Sequence, residues 1–166
     1  MTTDVIELIL ADHRRFEDFF RDLRDRTNDR AKVLAELSTL LVAHAEAEEA
    51  KVYPALRRFK GVTDDEVEHG AEEHAEGHQE LLSLLEIDDT ESDAWEEQLG
   101  KLVEAVAHHL DEEERTILND ARDSVPDERK AELGGDFSKA RAERVDAGCG
   151  EVDYVRDLVA RTASKK

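Results

Sequence analysis

The sequence predicts an all-α chain, an antiparallel up-down four-helix bundle with a short helical C-terminal extension. Three observations carry this expectation. Apolar residues recur at helical spacing along nearly the whole chain. Aromatics are only 5% of the residues, in a composition that suits helices better than sheets. The connections between the periodic segments are short, so successive helices must run antiparallel. No strand alternation or hairpin signal competes.

The first segment covers about residues 4–26, with Val5, Ile6, Ile9, His13, Phe16, Phe20 and Leu23 on one stripe. Asp4 with Glu7 is a capping pair at its start. The second covers about residues 30–58, with Leu34, Leu37, Leu41, His44, Glu48 and Val52 in period. Pro54 should kink or finish it. Thr63 to Glu66 forms a capping box for a third helix over about 64–86. A fourth helix is expected over about 91–122, with Trp95, Leu99, Leu102, Val106, His109 and Leu110 inward and Pro126 ending the unit. The bundle is therefore assigned to residues 1–124 and an extension packed on it to residues 125–166. Gly134, Gly135, Gly148 and Gly150 punctuate the extension, which has one short amphipathic helix near 151–162.

The chain has 166 residues, about one domain's worth. Its 43 acidic and 23 basic residues give a net charge of −20, which repels phosphate backbones and anionic lipid. Neither nucleic acid nor membrane is an expected partner. No apolar run is long enough to span a bilayer, and no basic segment precedes the N-terminal apolar patch. Cys149 is the single cysteine, so no internal disulfide framework is expected and the cytoplasm is the default location. A monomer or weak homodimer is expected.

An internal repeat organises the histidines. A shift of 65 residues lays His13 on His78, His44 on His109, Glu48 on Glu113 and Glu49 on Glu114. Each half is a helical hairpin with a histidine on its first helix and a His-x-x-x-Glu pair on its second. Residues four apart on a helix share a face, so each pair can address one centre. Two antiparallel hairpins would bring four imidazoles and two carboxylates together. His74, one turn before His78, adds a fifth imidazole. Five nitrogens and two bridging carboxylates suffice for two metal ions and leave a position open. The spacing alone is weak, because about one residue in four is acidic. The repeat and the inward placement discriminate. A hydrogen-bonded buried polar layer is the plainer alternative.

In their order and spacing, His13, His44-x-x-x-Glu48, His74-x-x-x-His78 and His109-x-x-x-Glu113 resemble the hemerythrin family in its bacterial, HHE cation-binding branch. The run EEAKVYPAL is also similar to that branch, and the resemblance covers about residues 4–122. It implies a bundle around a non-haem di-iron centre of two iron ions, oxo- or hydroxo-bridged. One iron would take His74, His78 and His109 and the other His13 and His44, with Glu48 and Glu113 bridging. The family's oxygen carriers place an aspartate five residues after the histidine where this chain has Glu113, four after His109 and five after His108. That departure leans toward the bacterial branch, whose activities vary. Ferritin-like sites would need Glu-x-x-His twice, and Glu66-x-x-His69 has no counterpart in the repeat. A structural zinc tetrad would need more than one cysteine. Imidazole and carboxylate with open positions suit iron, with manganese or zinc as alternatives.

The function expected on this basis is binding of, or reaction with, dioxygen, hydrogen peroxide or nitric oxide. Catalase-like peroxide removal is the enzymatic version; an oxygen carrier, or an iron or oxygen sensor, is the non-catalytic one. An acidic interaction bundle without metal is the third reading. Tyr53 stands where the repeat has Leu118, and its phenol could reach a bound oxygen species or iron, although a core tyrosine at a helix end is the favoured reading. His69 and His108 are expected at the surface, Glu17 and Glu73 as solvated charges, and Cys149 as incidental.

Overall fold

The computed structural model describes residues 3–164, which are all-helical with no strand. Helices α1 (Val5–Arg24) and α2 (Arg30–Ala47) form the first hairpin, and α4 (Asp64–Leu85) and α5 (Asp93–Arg115) the second. Each begins where the sequence supplies a side-chain acceptor. Asp4 accepts from the Ile6 and Glu7 amides, Asp29 from Lys32, and Ser92 from Trp95. Thr63 and Glu66 make both halves of the capping box.

Both second helices break at or just beyond the glutamate of their His-x-x-x-Glu pair. In the first hairpin a π-helical turn, Glu48–Val52, is followed by a single α-turn, α3 (Tyr53–Leu56). Pro54 has no N–H for an α-helical bond, and the wider turn absorbs that loss. In the second hairpin the expected helix over 91–122 is interrupted at Thr116 (φ −106°, ψ −85°), and α6 (Ile117–Ser124) continues beyond it. The Thr116 hydroxyl donates back to the Glu112 carbonyl at 2.7 Å, a bond that bends helices.

The C-terminal segment departs most from expectation. Gly134 and Gly135 do not interrupt it. They lie inside a 20-residue helix, α7 (Asp127–Asp146), which buries Leu133, Phe137 and Ala140. Gly134 serves close approach: a Cβ there would lie 1.5 Å from the Thr3 carbonyl oxygen. Helix α7 packs against α1, α2 and the π-turn, and α8 (Val152–Ser164) packs against α4. Between them Gly148 turns with φ +74°, a left-handed conformation that suits glycine. The next residues lie on α2: Ser38 donates to the Gly150 carbonyl at 2.7 Å and the Cys149 thiol to that of Thr39 at 3.3 Å. A Cβ on Gly150 would sit 2.3 Å from Thr39 Oγ1 and 2.5 Å from its backbone nitrogen. Gly150→Ala is therefore expected to cost about 1–3 kcal/mol of stability, read from denaturant melts.

The core consists of two apolar clusters. Phe16, Leu37, Leu81, Trp95 and Leu102 belong to one, and Ile9, Val52, Tyr53, Ile117 and Phe137 to the other. The buried ionisable residues fall between them along each helix: His13 between Ile9 and Phe16, His44 between Ala43 and Ala47, and Glu113 between Leu110 and Ile117. A polar layer thus crosses the middle of an otherwise apolar interior. No described helix is long and apolar enough to cross a membrane.

Candidate metal centre

Seven ionisable side chains meet in that layer. His13, His44, Glu48, His74, His78, His109 and Glu113 are all at most 6% exposed. Two groups of ligand atoms converge. Glu48, His74, His109 and Glu113 form one, and His13, His44 and Glu113 the other. The two glutamates tie the groups together. Glu48 Oε1 lies 3.1 Å from His44 Nε2 and 3.1 Å from His74 Nε2. Glu113 lies 3.1 Å from His13 Nε2 through Oε1 and 3.6 Å from His109 Nε2 through Oε2. His78 stands outside both groups, with its ring 6.4 Å from that of His74.

Most of these inward atoms lack a hydrogen bond. His13, His44, His78 and His109 Nε2, Glu48 Oε2 and Glu113 Oε1 are buried without one. Such groups are costly in an apolar interior unless something else satisfies them. Cations would do so for His13, His44, His109, Glu48 and Glu113, whose ligand atoms converge in the two groups.

Four of the five outward nitrogens are held by carboxylates. His44 Nδ1 donates to Asp12 at 2.8 Å, His74 Nδ1 to Glu49 at 2.8 Å, His13 Nδ1 to Glu114 at 3.0 Å and His109 Nδ1 to Glu73 at 3.1 Å. Protonation at Nδ1 leaves Nε2 as the lone-pair atom, which is how protein imidazoles are prepared for metals. The backing groups are themselves fixed. Arg141 of α7 reaches Asp12 at 2.6 Å, and Arg14 reaches Glu114 at 3.0 Å.

Residues 4–121 match the family model of the hemerythrin HHE cation-binding domain. The chain belongs to this family. It is also similar to a DNA nickase of Nostoc sp. (strain PCC 7120 / SAG 25.82 / UTEX 2576), 25% identical over 142 residues. That alignment takes in 84% of this chain but spans only 39% of the relative's length. No solved structure matches the chain significantly.

Within the HHE domain the electrostatics follow from burial and pairing. Burial disfavours a charged imidazole at His44, but Glu48 and Asp12 outweigh it and push the group up to about 10. His74 is likewise pushed up to about 10, burial being outweighed by Glu48 and Glu49. Glu48 is held well below the carboxylate range, because His44 and His74 overcome its burial. Burial pushes His78 down to about 3, helped by the charges of His74 and His109, so its ring is neutral. The Tyr53 phenol is raised well above its ordinary value by burial and by Glu113 and Glu48. It stays protonated and donates to Glu113, with its ring stacked on His74 at 5.6 Å. The π-turn makes this possible by presenting Glu48, Glu49 and Tyr53 from one short stretch.

A small cavity of about 20 Å³ adjoins the layer, lined by His44, His74, His78 and His109 and by apolar groups including Phe16, Leu41, Val106 and Leu110. It has room for a molecule of about water size.

The repeat points to the inward residues, but it does not reveal all that supports them. Glu73, expected as a solvated charge, is 5% exposed and backs His109. His109 and His108 across the helix draw it inward. Asp12 and Arg141 carry no sequence signal. Glu49 and Glu114 do carry one, since they coincide in the repeat. Glu17, His69 and His108 are exposed.

Proposed function

We propose that this HHE domain holds two iron ions and binds or reacts with a small oxygen species. His74, His78 and His109 would serve one ion and His13 and His44 the other, with Glu48 and Glu113 between them. The observation that carries this reading is the placement of each glutamate between imidazoles on different helices: Glu48 between His44 and His74, Glu113 between His13 and His109. A hydrogen-bonded polar layer would not leave so many buried nitrogens without partners.

Iron at both positions would supply paired one-electron changes toward dioxygen, peroxide or nitric oxide. The chain's own groups do the rest. Asp12, Glu49, Glu73 and Glu114 fix the ring orientations. Phe16, Leu41, Val106 and Leu110 line the cavity with apolar surface beside the imidazoles. Tyr53 keeps a proton on its phenol oxygen beside Glu113.

Catalase-like turnover, two hydrogen peroxide giving two water and one dioxygen, is the enzymatic form of this reading. Iron-loaded protein in an oxygen electrode should release about half a mole of dioxygen per mole of peroxide consumed. Release of none, with a reversible oxygen-dependent absorption band, would establish the carrier or sensor alternative instead. Fewer than one iron per chain after loading would reject the centre itself.

The backing carboxylates give a second prediction. Asp12→Asn should weaken iron binding about 10–100-fold, as measured by chelator competition. DNA nicking, the activity in the relative's name, is not carried over here. A chain of net charge −20 opposes a phosphate backbone, and more than half of the relative lies outside the alignment.

A further inference from the structure

A third convergence of ligand atoms lies outside the centre described above. His69 and Glu73 stand four residues apart on α4, and His108 comes from α5. Glu73 Oε2 is 3.0 Å from His108 Nε2 and 3.4 Å from His69 Nε2, and one ligand atom from each of the three residues lies within 4.8 Å of the others. We propose that His69, Glu73 and His108 form a separate surface site for a divalent transition cation of the zinc or cobalt class.

Three features support it. Ligands at about 2.0–2.1 Å in a tetrahedral zinc shell are about 3.3 Å apart, close to both observed separations. Glu73 Oε2 is buried and makes no hydrogen bond, although both ring nitrogens are close, so the three groups face a shared point rather than one another. Water can complete the shell, because the two imidazoles are 55% and 60% exposed. The site also adjoins an acidic cleft of about 380 Å³ that is lined by Asp65, Glu66, His69, Glu73 and Glu112 and reaches His109 and Glu113. Glu73 serves both regions, accepting the hydrogen bond of His109 Nδ1 on Oε1 and facing His69 and His108 with Oε2.

The site does not rest on the interior centre being di-iron. Its test is a calorimetric titration of Zn²⁺ into the full-length protein, before and after iron loading, for the wild type and the double variant His69→Ala/His108→Ala. Both side chains are more than half exposed, so circular dichroism should show an unchanged fold. The wild type should bind one Zn²⁺ per chain that persists after iron loading, and the double variant should lose that ion or bind it at least tenfold more weakly. Iron content should be equal in the two proteins. X-ray absorption of the bound zinc should show two imidazoles and a carboxylate. Identical Zn²⁺ titrations in the two proteins, or no zinc bound by the iron-loaded wild type, would overturn the site. If the chain takes up no iron, the count in the metal-free protein must still fall by one ion in the variant, which separates this proposal from the interior one.

Discussion

Glu48→Gln is expected to reduce bound iron from two ions per chain to one or none, with affinity for the remainder down about 100-fold or more. The substitution keeps the shape of the side chain and removes its charge. Glu48 is fully buried between His44 and His74, and among the described residues no other carboxylate pairs with both rings. Replacing a backing group alone costs about 10–100-fold at typical metal sites, so loss of a shared ligand must exceed that. Glu113→Gln should behave similarly through His13 and His109, and should also remove the charged acceptor of the Tyr53 hydroxyl. Elemental analysis after loading and gel filtration is the measurement, with circular dichroism to show that the helices persist. Two tightly held ions in either variant would reject the bridging role. The buried polar layer without metal predicts a different pattern: no change in metal content and a change only in melting temperature.

The interior residues are legible in the sequence because duplication repeats them and burial imposes a helical period. His13, His44, Glu48, His109 and Glu113 each lie on an apolar stripe and each has a repeat partner or stands in a repeated pair. His74 has no such partner, since the repeat places Ile9 opposite it; only its position one turn before His78 brings it in. What surrounds them is much less legible. In a chain where about a quarter of the residues are acidic, nothing local distinguishes Glu73, which is buried, from Glu72, which is 70% exposed. Arg141 lies 129 residues from Asp12, and only the packing of α7 on α1 and α2 brings them together. Helix α7 itself was obscured by paired glycines, whose low helix propensity is overridden by the apolar face of Leu133, Phe137 and Ala140. The π-turn is foreshadowed only by Pro54, which signals a break without specifying its form.

Metal uptake should displace protons, and the amount follows from the same side chains. In the metal-free protein His44 and His74 are pushed up to about 10, so both are charged at neutral pH, whereas His78 is already neutral. Metal requires the neutral imidazole. Loading near pH 7.5 should therefore release about two protons per chain, measured by calorimetry in buffers of different ionisation enthalpy. The same shifts set how stability varies with pH. A histidine raised in the folded state contributes stability that is complete below its ordinary value of about 6.5 and is lost as pH rises toward about 10. Asp12 and Glu48 are lowered, so their contribution is present above the ordinary carboxylate range and is lost as pH falls through it. His78 is lowered to about 3, so it withdraws stability as pH falls below about 6.5. The metal-free protein should thus melt highest near about pH 6.5 and decline on either side. The loaded protein should instead stay nearly level above about pH 6.5, because its metal-bound imidazoles and those of the unfolded chain are both neutral there. The gap in melting temperature between the two forms must therefore widen from pH 6 to pH 9. A constant gap, or uptake without proton release, would mean that His44 and His74 do not exchange protons for metal.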